Sequence, residues 1–211
     1  MSKTILILSG PTHEYIDPVR FIGNASSGLM GKAIAEEAAA RGYAVEFVSG
    51  PVAGNNLPQA ASLHRVTSAQ EMLDQAQKLF PSADATVFAA AVADYAPAEK
   101  RTEKMAKSTG ELILHLRPTP DIAKTLCANK RADQVAIGFA LQTSDGEFNA
   151  TRKLEGKNLD GIVLNTPATL GAQDGDFSFL SRSAEAFAHW GVIDKAECAK
   201  RILDAIGDLS A

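Results

Sequence analysis

A polar loop with two glycines is the part of the chain best suited to hold an anionic group. Its side chains Asn24, Ser26 and Ser27 can hydrogen-bond to an anion or a carboxylate. Gly28 and Gly31 let the backbone approach a ligand or a neighbouring strand. The loop follows an apolar run and precedes a helical pattern, where backbone N–H groups and the positive helix end point outward. We interpret it as a binding loop; the alternative is a serine N-cap followed by glycines that serve helix–sheet packing.

The turn before this loop belongs to the same candidate substrate site. Gly10 permits an unusual backbone angle at the end of the first apolar run, and Thr12 follows it. Arg20 stands three residues after Asp17, near enough for the two to pair. We assign Gly10, Thr12 and Arg20 to substrate binding. The alternatives are an ordinary strand-to-loop turn and a purely structural pair between Asp17 and Arg20.

Charged residues further along the chain could bind a polyphosphate. Asp94 follows a strand of small residues, at the rim where ligands bind in open α/β sheets, and could hold a ribose, a base or a magnesium-bound phosphate. Lys153 and Lys157 are four residues apart and share a helix face. Two ammonium groups side by side repel unless an anion lies between them, and a triphosphate would be such an anion. The alternatives are a turn cap for Asp94 and a solvated helix face for the lysines.

The elements that must position these residues alternate between apolar runs and helical patterns. This alternation predicts an α/β, Rossmann-like fold with a mainly parallel sheet flanked by helices. It also predicts a single domain over 1–211, a mobile flap at about 95–119 ending in a β-arm, and a late antiparallel hairpin at the sheet edge. A capping box is expected at Ser68 and Glu71. The predicted strands are 4–9, 44–49, 85–90, 134–140, 161–164 and the hairpin 177–180 with 184–190; the helices are 28–41, 69–80, 122–130, 147–157 and 194–206.

The composition narrows the class of protein. The chain has 211 residues, of which 45% are hydrophobic and 22% charged, as in an ordinary globular protein. A net charge of −4 argues against a broad nucleic-acid surface. The two cysteines, Cys127 and Cys198, lie far apart and are interpreted as buried free thiols. No signal peptide and no apolar run long enough to span a membrane is visible, so we expect a cytoplasmic protein without membrane or nucleic-acid partners.

Six segments share their order and residues with one known family and cover most of the chain. They are DPVRFIGNASSGLMG at 17–31, AAAVADY at 89–95, EKMAK at 103–107, PDI at 120–122, GFA at 138–140 and KLEGKNLD at 153–160. On these motifs the chain resembles the phosphopantothenate–cysteine ligases, also called phosphopantothenoylcysteine synthetases, of coenzyme A biosynthesis.

The resemblance implies a reaction in two halves. The carboxylate of 4′-phosphopantothenate attacks the α-phosphate of a nucleoside triphosphate and releases pyrophosphate, and L-cysteine then displaces the nucleotide from the acyl-nucleotidylate. It implies that Asn24 holds the acyl-nucleotide and that Lys104 is the flap lysine linked to nucleotide and turnover. The positions that match nucleotide-binding residues of the family are Phe88, Ala89, Ala90, Asp94, Pro120, Asp121, Ile122, Ala123, Phe139, Lys153 and Lys157.

The resemblance also implies cofactors and partners. We expect CTP to be favoured over ATP, Mg²⁺ to accompany the nucleotide without a protein ligand that can be named, and a homodimer in which the partner subunit helps to cover the site. The flavin-dependent decarboxylase to which such domains are often fused has no counterpart here, so we expect a stand-alone ligase without flavin. One alternative is a non-catalytic nucleotide-binding protein of the same fold. A nicotinamide-dependent oxidoreductase is a second, although strand 44–49 is not followed by the carboxylate that such enzymes use.

Overall fold

Strands and helices alternate along the chain. The computed structural model describes residues 2–107, 109–142, 144–169 and 171–210. Within them the strands are β1 (Thr4–Ser9), β2 (His13–Tyr15), β3 (Phe21–Gly23), β4 (Ala44–Ser49), β5 (Ser62–Arg65), β6 (Ala85–Phe88), β7 (Tyr95–Pro97), β8 (Leu116–Pro118), β9 (Val135–Leu141), β10 (Gly161–Asn165), β11 (Asp174–Ser181) and β12 (Ala188–Asp194). The helices are α1 (Leu29–Ala40), α2 (Ala69–Leu79), α3 (Ile122–Cys127), α4 (Gly146–Gly156) and α5 (Lys195–Leu209).

One large sheet carries the fold, with strand order β12-β11-β10-β9-β6-β1-β4-β5 among the described residues. The strands from β10 to β5 run parallel to their neighbours. β11 is antiparallel to both β10 and β12, which places the late hairpin at one edge of the sheet. The predicted fold class is therefore confirmed: a mainly parallel, Rossmann-like sheet with an antiparallel hairpin.

Both faces of the sheet are apolar, because successive side chains of a strand point to opposite sides. Ile5 and Ile7 of β1 pack in the hydrophobic core beneath α1 and α5. Leu6 and Leu8 of the same strand pack in the core beneath α2, α3 and α4. Helices on both faces are what a buried parallel sheet requires, and they leave the carboxyl ends of the strands as an open edge.

Local sequence signals explain where two of the helices begin. Ser68 and Glu71 form the predicted capping box: Ser68 Oγ accepts a hydrogen bond from the backbone N–H of Glu71 at 3.2 Å. The α1 helix begins differently, after Gly28 in a left-handed conformation with φ of 75°. A side chain at Gly31 would collide with Ser9 of β1, so this glycine lets α1 pack directly on the strand.

Some short elements differ from the prediction. The β2–β3 hairpin and β5 were not predicted, because strands of three or four residues carry too little periodicity to detect. The prediction for 85–90 was too long, since β6 ends at Phe88. The predicted β-arm at the end of the flap was wrong in extent: β7 and β8 pair as two short strands, and no described residue between them lies in a helix or strand. Residue 108 of the flap lies outside the described residues.

Both cysteines are buried free thiols, as predicted. Burial raises the pKa of Cys127 to about 11 and that of Cys198 to about 12, so both stay protonated at neutral pH. None of the helices in the described part of the chain is both long and apolar enough to cross a membrane.

Candidate active site

The carboxyl ends of the central strands border a cleft of about 750 Å³. Ligands bind at this edge of open parallel sheets, because helix N-termini and free backbone N–H groups point there. Of the residues predicted for the site, those that line the cleft are Asn24, Ser26, Ser27, Gly28, Phe88, Ala89, Ala90, Asp94, Pro120, Asp121, Ile122, Ala123, Phe139, Lys153 and Lys157. Gly10, Thr12, Arg20 and Lys104 are not among the described residues that line it.

The cleft passes over the edge of the sheet and opens on both of its faces. Met30, Phe139 and Phe177 belong to the core under α1 and α5, and we call this part the α1/α5 lobe. Ile122 and Leu159 belong to the core on the opposite face, and we call that part the α3/α4 lobe. Two ligands could therefore bind on opposite sides of the sheet and meet at the ends of its strands.

The loop before α1 lines the cleft. Asn24 Nδ2 donates a hydrogen bond to the backbone carbonyl of Val92 at 2.9 Å, which ties the loop to the chain that follows β6. An amide group has a second N–H and an oxygen, so Asn24 retains hydrogen-bonding capacity towards a ligand. The backbone carbonyl of Ser27 accepts from Asn56 Nδ2 at 3.0 Å and fixes the other end of the loop.

Gly10 and Thr12 support the wall of the cleft from behind. Gly10 has a φ of 75°, as its sequence position suggested, and its carbonyl accepts from the N–H of Ala91 at 2.9 Å. Thr12 is fully buried, and its Oγ1 accepts from the N–H of Ala93 at 3.0 Å. These bonds hold the segment that carries Asp94. Direct substrate contact by either residue stays a prediction.

Lys153 and Lys157 extend from α4 and its end into the α3/α4 lobe. Lys157 Nζ pairs with Asp121 at 3.0 Å, whereas no hydrogen bond or salt bridge joins Lys153 Nζ to another described residue. The pKa of Lys153 is lowered, first by burial and then by the charge of Lys157, and the carboxylates of Asp94 and Asp121 only partly oppose this. An anion bound here would relieve both costs, so the geometry favours a polyphosphate.

A buried carboxylate joins the middle of the flap to the turn after β2. Asp17 accepts hydrogen bonds from the backbone N–H groups of Val19 and Arg20, at 2.8 Å each, and of Met105 at 3.1 Å. Burial alone would raise the pKa of Asp17, but these bonds and the charge of Arg20 lower it. Arg20 pairs with Asp17 at 3.3 Å and donates to the carbonyl of Met105 at 2.9 Å. The predicted pair between Asp17 and Arg20 is therefore present, and a role of Arg20 in substrate binding stays a prediction.

Lys104 precedes the anchored Met105 and is itself exposed. It borders a small separate hollow formed by residues 100–106 of the flap. Its predicted role therefore requires one of two arrangements. Either the flap moves towards the cleft of the same chain, or Lys104 reaches the cleft of a second copy of the chain.

Asn165, Thr169 and Lys195 are among the cleft residues that the sequence reasoning missed. Asn165 is the last residue of β10, so the rule that drew attention to Asp94 after β6 would also have found it. Its Nδ2 donates to Thr169 Oγ1 at 2.6 Å, while its Oδ1 is buried and has no hydrogen-bond partner among the described residues. No local signal marks Thr169 or Lys195.

Known proteins share this sequence and architecture. The chain matches the family described as "DNA/pantothenate metabolism flavoprotein C-terminal domain" over residues 1–209. It is 45% identical over 170 residues to a cysteine/cysteine sulfinic acid decarboxylase of an unknown prokaryotic organism, covering 81% of this chain and 47% of that protein. It is 41% identical over 170 residues to the coenzyme A biosynthesis bifunctional protein CoaBC of Bacillus subtilis, covering 81% of this chain and 42% of that protein. The chain thus spans about half the length of these curated relatives.

A solved structure gives the same result in three dimensions. The crystal structure of the C-terminal domain of a coenzyme A biosynthesis bifunctional protein CoaBC is 39% identical and superposes with a TM-score of 0.82, covering 97% of this chain and 93% of that one. The likeness therefore extends over nearly the whole of both chains. With the match over residues 1–209, it shows that the chain belongs to the family of the DNA/pantothenate metabolism flavoprotein C-terminal domain.

Proposed function

We propose that this protein is a ligase that joins 4′-phosphopantothenate to L-cysteine in coenzyme A biosynthesis, at the expense of a nucleoside triphosphate. One observation carries the proposal: a single cleft at the carboxyl ends of the strands is lined both by the Asn24 loop and by the Lys153–Lys157 pair. An acid and a triphosphate bound in this way would present the carboxylate to the α-phosphate. The assignment to coenzyme A biosynthesis is supported by the names of the CoaBC relatives.

The triphosphate occupies the α3/α4 lobe in this proposal. Lys153 and Lys157 face its phosphates and stabilise the charge that moves onto pyrophosphate as the P–O bond breaks. Asp94 is the cleft carboxylate without a pairing partner among the described residues, whereas Asp121 pairs with Lys157. One carboxylate together with phosphate oxygens is a donor set that suits Mg²⁺, so Asp94 would hold it, and the ion would neutralise phosphate charge. We propose CTP as the preferred nucleotide, from the family resemblance alone.

The acid occupies the α1/α5 lobe, with its carboxylate near Asn24. The predicted nucleotide contact of Phe139 does not fit this arrangement, because Phe139 lies in the α1/α5 lobe. A carboxylate oxygen forms a bond to the α-phosphorus while the bond to pyrophosphate breaks, which leaves an acyl-nucleotidylate. Asn24 donates a hydrogen bond to the acyl group without titrating. The amine of cysteine then attacks the carbonyl carbon, the nucleotide monophosphate leaves, and the amide forms with loss of a proton. A flap that closes over the site would exclude the water that otherwise hydrolyses this intermediate.

The test is the dependence of pyrophosphate release on each reactant. We expect release only when phosphopantothenate and a nucleoside triphosphate with Mg²⁺ are both present, and phosphopantothenoylcysteine by mass spectrometry once cysteine is added. Parallel reactions with CTP and ATP measure the nucleotide preference. A protein that binds nucleotide but releases no pyrophosphate would support the non-catalytic alternative instead.

We also propose a homodimer built on one apolar surface, the hairpin patch. It consists of exposed side chains of the β2–β3 hairpin, the flap and β7–β8: Val19, Phe21, Tyr95, Leu112, Ile113 and Leu116. Ile113 is 76% exposed, and large apolar side chains left in solvent are common at protein–protein interfaces. The second copy is the partner that the family resemblance implies. Light scattering should give a dimer for the wild type and a monomer for Ile113→Asp; an unchanged mass would refute this interface.

A cytoplasmic location stays a prediction.

A further inference from the structure

Lys195 stands at a helix position that disfavours its charge. It is the first residue of α5, where the positive end of the helix dipole repels an ammonium group. Its side chain is half-buried, and this burial lowers its pKa. The N-cap of α5 is already provided by Asp194, whose carboxylate accepts from the N–H of Glu197 at 2.7 Å. Lys195 is therefore not needed to begin the helix.

The ammonium group is used to hold a loop. Lys195 Nζ donates to the backbone carbonyl of Thr169 at 3.4 Å and to that of Ala172. Thr169, Gly171 and Lys195 all line the cleft, so this loop forms part of its wall. One cation thus joins the start of α5 to the wall of the α1/α5 lobe.

The loop in turn fixes Asn165. Thr169 is buried, and its Oγ1 accepts from Asn165 Nδ2 at 2.6 Å while donating to the carbonyl of Thr166 at 2.8 Å. On the other side, a side chain at Gly175 would collide with the methyl group of Thr169. The position of Thr169 is therefore set by Lys195, by Gly175 and by its own hydrogen bonds. Asn165 lines the cleft and is held there through its Nδ2, while its buried Oδ1 has no hydrogen-bond partner among the described residues.

We propose that Lys195 is a positioning residue for the acid substrate: it fixes the Thr169 loop and, through it, the wall of the α1/α5 lobe. This rests on the proposed function for the identity of that substrate. Lys195 acts through backbone carbonyls and touches no reacting atom. Loss of its ammonium group weakens binding of phosphopantothenate and leaves nucleotide binding in the α3/α4 lobe unaffected.

The experiment measures binding by calorimetry on the full chain, with phosphopantothenate and with CTP–Mg²⁺ as separate titrants. Lys195→Met keeps the aliphatic stem and removes the donors, Lys195→Arg restores donors to the carbonyls, and Lys200→Met removes an exposed lysine from the same helix as a control. Thermal unfolding of each variant establishes that it is folded. Binding is measured in addition to turnover, so that a wild type that binds the acid but releases no pyrophosphate refutes the ligase function without removing this test.

We expect Lys195→Met to raise the Kd for phosphopantothenate about tenfold, and Lys195→Arg to recover most of that loss. The Kd for CTP should change less than about twofold in both, and Lys200→Met should match the wild type. An unchanged Kd for phosphopantothenate in Lys195→Met overturns the proposal. Equal weakening of both ligands, or no recovery by Lys195→Arg, also overturns it. If Lys195→Met does not fold, Gly175→Ala takes its place, because it displaces Thr169 directly. Gly175→Ala should then raise the Kd for phosphopantothenate while Lys195→Arg stays near the wild-type value. An unchanged Kd in Gly175→Ala overturns the proposal.

Discussion

Replacing Lys153 with Met should stabilise the protein while weakening its affinity for nucleotide. The pKa of Lys153 is lowered by burial and by the charge of Lys157, so its protonated form is less favourable in the folded chain than in the unfolded chain. This cost is fully present below the folded pKa and declines as the pH rises towards the ordinary value of 10.5. Lys153→Met should therefore raise the free energy of unfolding at pH 7, and the advantage over wild type should shrink in alkaline buffer.

The effect on binding follows from the chemistry of the lost contact. A hydrogen bond to a charged group contributes about 1.5–3 kcal/mol, which corresponds to about 10–150-fold in Kd at 25 °C. We therefore expect the Kd for CTP–Mg²⁺ to rise by that factor in Lys153→Met. Arg152 is exposed on the same helix and does not line the cleft, so Arg152→Met is the matched control and should change the Kd less than about twofold.

Calorimetric titration with CTP–Mg²⁺ and thermal unfolding at neutral and alkaline pH test both parts of the prediction. The reasoning is refuted if Lys153→Met binds CTP as tightly as the wild type, because an anion would then not be bound by this lysine. It is also refuted if the variant is less stable than wild type at pH 7, because the ammonium group would then be satisfied in the free protein.

Three further substitutions, one of them with a matched glycine control, test other parts of the site and fold. Asn24→Asp places a second carboxylate beside that of the acid and should reduce the rate of pyrophosphate release by about 100-fold or more, with an unchanged Tm; near-normal turnover would argue against the role of Asn24. Lys104→Gln should lower kcat more than it raises KM in steady-state kinetics, and an unchanged kcat would reject the role assigned to this lysine. Gly31→Ala forces α1 away from Ser9 and should lower the free energy of unfolding by about 1–2 kcal/mol in denaturant titrations, whereas Gly207→Ala, where a methyl group meets open space, should raise it by about 0.5–1 kcal/mol. A loss of stability in both would show that the collision at Ser9 is not the cause.

The sequence was most informative where one physical rule acts over many residues. β1 and β4 occupy their predicted residues, because parallel strands that are covered on both faces are rich in apolar residues, even though β4 carries Glu46 near its middle. The capping box of α2 was found because its two residue types and their spacing are both specific. The short β2–β3 hairpin lacks any such signal. Its register depends on the turn that Asp17 stabilises from within the fold.

The site was only partly predictable for a related reason. Asn24, Asp94 and Lys153 could be assigned to one site because strand ends and helix faces bring them to the same edge of the sheet. Lys195 could not, because its importance depends on two carbonyl groups of a loop distant in sequence. A lysine in the first turn of a helix carries no signal of what it binds. Contacts between a side chain and a remote backbone are set by the complete fold and leave no spacing to detect.

The division of the cleft by the sheet edge has a consequence for redesign. The α1/α5 lobe and the α3/α4 lobe take their walls from different helices and from opposite faces of the sheet. Substitutions in one lobe are therefore separated from those in the other by the backbone of the strands, and effects of separated sites usually add. In the proposed ligase, selectivity for the acid and selectivity for the nucleotide could thus be altered independently. A library confined to one face should yield variants that accept a new acid with an unchanged nucleotide preference.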